Sequence, residues 1–259
     1  MSTIVAAGEK LNYQVHRGTL HSVSHPLVLI HGAGGNLMHW PGELRRLPDH
    51  TVYALDLPGH GGSAGRGRDE IVAYTEVVRA FVETLALPTC ILVGHSMGGA
   101  IALEFGLCYP GRLAGLILIG TGARLRVAPQ LLSGILNDFA ATVDLMAVWA
   151  HGDHVDPNTL RLYARRLREL DPQVTHGDFV ACDRFNRTDD VARIAVPTLV
   201  ICGTADRMTP VSYSSYLADQ IRGAQLLILP GAGHMAMLER APAVTDAIGR
   251  FVASLKERV

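Results

Sequence analysis

Six short runs in which every residue is apolar constrain this chain more than any other feature. They fall at 27–30, 52–55, 91–93, 116–119, 199–201 and 226–229, with helical periodicity between most of them. A strand with one wet face alternates apolar and polar residues. A run that is apolar throughout needs cover on both faces, as a parallel sheet between layers of helices provides. Helical patterns at 70–85, 97–109, 211–221 and 243–256 supply that cover, and Pro110-Gly111 closes the second of them. The fold class is therefore α/β: a mostly parallel, twisted sheet flanked by helices. Lys10 to Arg17, followed by Gly18, is expected to form an N-terminal hairpin.

The rhythm stops between Ile119 and Thr198. About 75 residues pass without a convincing strand but with amphipathic helical patterns. Residues 131–139 form one, and Asp156-Pro157 opens another as N-cap and first-turn proline, running to Leu170. This reads as a helical cap at 120–197 inserted into a core made of 1–119 and 198–259. Arg161, Arg165, Arg166 and Arg168 are read as an ordinary solvated helix face.

Composition narrows the partners. With 48% apolar and 18% charged residues and a formal net charge of −1, the chain has no global field for nucleic acid or an anionic membrane. No apolar run approaches the roughly 20 residues that cross a bilayer. The N-terminus lacks the basic region of a signal peptide. Cys90, Cys108, Cys182 and Cys202 are scattered, three of them in apolar settings, which suits free thiols in a reducing compartment, so a cytoplasmic location is expected. Among the histidines, His16, His21, His25 and His50 read as surface loop residues. His151-Gly152-Asp153-His154 mimics a metal cluster but has no second ligand pair at a recognisable spacing, and no metal is expected.

Chemistry concentrates at Gly94-His95-Ser96-Met97-Gly98, which follows a strand and opens a helix. A serine in a sharp strand-to-helix turn needs small neighbours, and that turn exposes its hydroxyl at the carboxyl end of the sheet. A serine hydroxyl is a weak nucleophile and needs a base. His234 is the candidate, in a glycine-rich loop after the last strand. Asp206, at the end of the preceding strand, is the candidate orienting acid, although alone it reads equally well as a helix cap. Residues 120–136, after Ile119, offer no Asp or Glu for that role. The amides of Met97, at a helix N-terminus, and Ala33, in His31-Gly32-Ala33-Gly34-Gly35-Asn36, are the expected oxyanion donors. A rival reading of Gly32-x-Gly34 with Asp56 is a dinucleotide fingerprint, but Leu37 stands at its third glycine position and no cofactor is expected.

Taken together, His31-Gly32, Asp56-Leu57-Pro58-Gly59-His60-Gly61-Gly62-Ser63, the Ser96 elbow, Gly203-x-x-Asp206-x-x-x-Pro210 and Gly233-His234 resemble the α/β-hydrolase fold superfamily along nearly the whole chain. The resemblance is to the branch of small carboxylesterases and 3-oxoadipate enol-lactonases. It implies Ser96 as nucleophile, His234 as base and then acid, Asp206 as orienter, and Ala33 and Met97 as oxyanion donors. The Asp56–Ser63 segment would be structural. His95 and Met235 stand where carbon–carbon bond hydrolases of this fold carry asparagine and tryptophan, and serine stands where dehalogenases carry aspartate. The implied activity is hydrolysis of a small-molecule ester or lactone. Alternatives are a thioesterase or enol-lactonase in a catabolic pathway, or a non-enzymatic ligand receptor. Leu37, Trp40, Phe139, Met146, Trp149, Phe179 and Met235 are expected to wall the pocket.

Overall fold

The computed structural model describes residues 1–18 and 25–256. Among the described residues eight strands form one sheet, in the order β1-β2-β4-β3-β5-β6-β7-β8. β1 (Ser2–Ala6) and β2 (Glu9–His16) form an antiparallel hairpin that pairs antiparallel with β4 (Val52–Leu55). β3 (Leu27–Ile30), β4, β5 (Cys90–His95), β6 (Leu113–Ile119), β7 (Thr198–Gly203) and β8 (Gln225–Leu229) run parallel. Every expected strand is present. The hairpin differs from expectation in position: it turns at Ala7-Gly8, both at positive φ, so its first strand is the N-terminus itself. The exposed–intermediate alternation of β1 hid it, because an edge strand buries little.

The continuous apolar runs divide between two cores, residue by residue. Val28, Ile30, Leu92, Leu116 and Leu118 face one side, under α2 (Ile71–Thr84), α3 (Met97–Cys108) and Leu217 of α8 (Val211–Gln220). Leu27, Leu29, Ile91, Val93, Ile117 and Ile119 face the other, against α1 (Gly42–Arg45), α9 (Ala236–Glu239) and α10 (Ala241–Lys256). The two-residue period of a strand sends neighbours to opposite faces, and each face is dry.

Between β6 and β7 lie α4 (Pro129–Asn137), α5 (Phe139–Trp149), α6 (Pro157–Leu167) and α7 (Pro172–Arg184). They share a third apolar cluster around Leu131, Ile135, Val143, Met146, Leu167 and Phe179. The pattern at 131–139 is broken at Asp138, whose carboxylate caps α5 by accepting from the Ala141 amide at 3.1 Å. Asp156 caps α6 through Asn158 at 3.1 Å, and Arg161, Arg165, Arg166 and Arg168 are exposed, as expected of them. No described helix is long and apolar enough to cross a membrane.

The histidine readings divide. His16 is part of β2, and His25 bonds the Thr89 hydroxyl at 2.6 Å. His50 is buried, against expectation. His21 lies outside the described residues. His151 donates through Nδ1 to the Ala147 carbonyl at 2.9 Å, so its part of the apparent metal cluster is a helix-end contact. Cys90, Cys182 and Cys202 are buried free thiols, and Cys108 is exposed.

Candidate active site

The carboxyl ends of β3, β5, β7 and β8 converge on one cavity with about 880 Å³ of empty space, the solvent at its mouth included. Its walls include Ser96, His234 and Ala33, with Met146, Trp149 and Phe179 from the helical segment and Met235 beside His234. Three of the expected wall residues are elsewhere. Leu37 and Trp40 are buried in the core beneath the sheet, around a single helical turn that the Asn36 side chain caps. Phe139, the first residue of α5, packs on the outside of the helical cluster. Size and apolarity do not distinguish a core residue from a pocket wall in sequence.

Ser96 holds the turn between β5 and α3 with φ 53° and ψ −117°, a conformation that side-chain-bearing residues avoid. The turn is possible because the flanking glycines let backbones touch. A Cβ at Gly94 would lie 2.2 Å from the Gly98 carbonyl oxygen, and one at Gly98 would lie 2.1 Å from that of Ile30. The Ser96 backbone is fixed from both sides: its amide donates to Ile119 at 2.9 Å, and its carbonyl accepts from the Thr121 hydroxyl at 2.9 Å. Met97 opens α3, so its N–H has no acceptor within the helix. The Ala33 amide likewise meets no acceptor among the described residues.

His234 Nδ1 lies 2.9 Å from Asp206 Oδ2 and 3.2 Å from the Thr209 hydroxyl, which itself donates to the same carboxylate oxygen at 2.7 Å. A carboxylate only accepts, so the imidazole proton sits on Nδ1 and leaves the Nε2 lone pair available. Asp206 also caps the turn after β7, its Oδ1 accepting from the amides of Met208 at 2.9 Å and Thr209 at 2.8 Å. Both sequence readings of Asp206, cap and partner of histidine, describe the same residue. Burial pushes its carboxyl up, but the His234 charge and the bonds from His234 and Thr209 outweigh this and hold it below the ordinary carboxylate value.

His95 lines the cavity next to Ser96. Its Nε2–H donates to the His234 carbonyl at 3.0 Å, and burial, then the His234 charge, keep the ring neutral with a pKa well below the usual histidine value. The His234 loop is further tied to the helical segment. The Met235 amide donates to Ala150 at 2.9 Å, and Glu239 accepts from both Gly152 and Gly233 at 3.0 Å.

The loop at 31–37, which carries Ala33, is held from several directions. His31 donates through Nδ1 to the Gly32 carbonyl at 2.8 Å and accepts from the Leu57 amide at 3.1 Å. Asp56 accepts from Leu37 at 2.7 Å, Asn12 at 2.7 Å and Gly62 at 2.8 Å. Buried and already accepting these three bonds, Asp56 organises the turn, and it no longer supports the dinucleotide reading.

Several lining residues went unread in the sequence: His39, Tyr163, Arg126, Arg207 and Thr209. Only Thr209 had a local signal, two positions short of a helix and three beyond Asp206. His39 is buried, and burial, then Arg166, lower its pKa to about 4, so it presents a neutral ring.

A parallel α/β sheet with a strained serine elbow and a buried histidine–carboxylate pair at its carboxyl edge defines a class, and the comparisons agree with it. The chain belongs to the alpha/beta hydrolase family, whose sequence model matches residues 27–247. It is 32% identical over 237 residues to a dihydrolipoyllysine-residue acetyltransferase component of an acetoin cleaving system from Pseudomonas putida, covering 88% of this chain but only 63% of that protein's length. It is 28% identical to a pimeloyl-[acyl-carrier protein] methyl ester esterase of Neisseria meningitidis, covering 92% of this chain and 98% of the relative. Among solved structures, a thermophilic esterase superposes with a TM-score of 0.85 at 31% identity, covering 98% of this chain and 97% of its own. An enol-lactonase from Burkholderia xenovorans superposes with a TM-score of 0.88 at 23% identity, covering 97% of this chain and all of its own, a likeness of fold.

Proposed function

We propose that this protein is a cofactor-independent serine hydrolase that cleaves small carboxylic esters or lactones through an acyl-enzyme. The observation that carries the reading is that Ser96, on its strained elbow, lines the same cavity as His234, which is paired with buried Asp206. The segment 120–197 then serves as the cap over that cavity. Ser96 Oγ adds to the substrate carbonyl carbon while His234 Nε2 takes the hydroxyl proton. The carbonyl electrons move to its oxygen, held by the Ala33 and Met97 amides. Collapse breaks the bond to the leaving oxygen, which takes the proton from His234. Water, deprotonated by His234, then repeats the addition and frees the acid from Ser96. Asp206 keeps the proton on Nδ1 throughout and stabilises the imidazolium.

The esterase and methyl ester esterase among the relatives support this choice of bond. The three buried free thiols suit a reducing compartment such as the cytoplasm. Ser96→Ala is expected to lower kcat by roughly 10⁴-fold or more while circular dichroism stays unchanged, and a fluorophosphonate should label Ser96 alone. Near-wild-type turnover in that variant would end this reading, and slow or single-turnover hydrolysis by the wild type would favour a ligand receptor. Each added methylene gains about 0.8 kcal/mol only while apolar wall remains to cover it. kcat/KM on p-nitrophenyl esters should therefore peak between acetate and hexanoate and fall by dodecanoate.

A further inference from the structure

Asp178 sits in the middle of α7, is fully buried, and reaches out of the helical segment to the loops after β3 and β4 and to α2. Its Oδ2 accepts from the Gly34 amide at 2.8 Å and from His60 Nε2 at 2.8 Å, while Oδ1 accepts from the Tyr74 hydroxyl at 2.5 Å. His60 meets only acceptors, with Nδ1 3.0 Å from the Pro58 carbonyl. Both ring nitrogens must carry hydrogen to satisfy them, so His60 is an imidazolium facing a carboxylate. In agreement, Asp178 outweighs the lowering effect of burial and raises the His60 pKa above its usual value. Tyr74 stays protonated, because burial and then Asp178 raise its pKa.

A buried charge with three donors is a poor way to gain stability alone, since desolvation offsets most of the attraction. Its placement suggests another use. Gly34 follows Ala33 directly, so the bond from Asp178 fixes the peptide plane next to the one carrying the Ala33 N–H. Leu170 and Thr175 press on the same spot: a Cβ on Gly34 would come within 3.1 Å of Leu170 Cδ1 and 3.5 Å of Thr175 Cγ2. An oxyanion donor is effective only if it is aimed before charge develops.

We propose that Asp178 is a positioning residue for the oxyanion loop, through which the helical segment aims the Ala33 amide at the reacting carbonyl oxygen. The inference rests on the serine-hydrolase reading and adds a residue to it. Asp178 does not touch the substrate. Its removal lowers the rate of acyl transfer and leaves ground-state binding largely alone.

The test compares kcat, KM and the affinity for an aryl trifluoromethyl ketone in wild type, Asp178→Ala, Asp178→Asn and Tyr74→Phe. That ketone accepts Ser96 Oγ at its carbonyl carbon while the serine proton passes to His234, leaving an oxyanion in the hole. Asp178→Ala should lower kcat about 10²-fold, near the effect of losing one oxyanion donor, with ketone affinity falling in parallel and KM within about threefold. Asp178→Asn keeps an oxygen for Gly34 and should restore kcat to within about tenfold of wild type. Tyr74→Phe removes a partner of the carboxylate without freeing Gly34 and should stay within about threefold. If Asp178→Ala does not fold, Asp178→Asn decides, with a loss of about threefold to tenfold in both kcat and ketone affinity at constant KM. Unchanged kcat in the folded Asp178 variants overturns the inference, as does a KM that shifts as much as kcat or a Tyr74→Phe loss equal to that of Asp178→Ala. Ser96→Ala run alongside separates the two failures: if it keeps turnover, the hydrolase reading has failed first.

Discussion

The Ser96 elbow and the loops that face it are built in opposite ways. The elbow's motif is local: Gly94, Ser96 and Gly98 lie within five residues, and their small size permits the close contacts of α3 with β5 and with Ile30. The loop at 31–37 and the His234 loop are held from a distance. Asp178 reaches Gly34 across 144 positions, Asp56 reaches Leu37 across 19, and Glu239 joins Gly233 to Gly152 across the gap between β8 and the helical segment. Such an elbow can be specified by a short motif because its strain is steric. Aiming a donor or an imidazole needs directional bonds, which come from wherever the fold brings partners together.

That contrast can be broken at several points. The largest effect is expected at Asp206, which reaches His234 across 28 positions. In Asp206→Asn the amide oxygen can still cap Met208 and Thr209, so the turn persists while control of the His234 tautomer is lost. kcat should fall by about 10³- to 10⁴-fold with an unaltered melting temperature. A variant that melts early instead would show that Asp206 is chiefly a cap.

At the elbow, activity and folding should fail together. Gly98→Ala drives a methyl into the Ile30 carbonyl and should destabilise the protein by more than about 3 kcal/mol, measured by urea unfolding. A stable, active Gly98→Ala protein would mean the steric account of the elbow is wrong.

Ser96→Gly provides the converse. Glycine tolerates φ 53°, so the variant should gain about 1 kcal/mol of stability while losing turnover, whereas Ser96→Ala should gain nothing. Equal stability of the two variants would remove the case for strain at this position.

The smallest effect concerns pH. His60 is faced by Asp178 from α7, Tyr74 from α2, Asp56 beyond β4 and His31 beyond β3. Its pKa is raised on folding, so its contribution to stability is complete below the unfolded value of about 6.5 and fades as pH rises through the folded value. The difference in unfolding free energy between wild type and His60→Asn should therefore shrink as pH rises above about 6.5. A difference that grows over that range would contradict the charged His60–Asp178 pair.

The sequence by itself pointed to the parallel sheet, because apolar runs such as Leu116 to Ile119 need cover on both faces and helical patterns lie between them. It also determined the elbow, whose glycines are legible wherever a strand meets a helix, and it pointed to Asp206 and His234 as successive strand-end residues. Where burial was slight, as in the exposed edge strand Ser2–Ala6, the signal was too weak to read. Asp178 shows what only the tertiary structure decided. It lies on the buried stripe of α7 with Thr175, Phe179 and Cys182, and an acid on such a stripe was the one hint available. That hint says a partner exists but does not name one, since Gly34, His60 and Tyr74 all lie more than a hundred residues away. The cavity walls follow the same rule. Trp40 and Trp149 are chemically alike, yet one fills the core and the other lines the site, because burial against a neighbour and exposure to a cavity differ only in what the rest of the chain leaves empty.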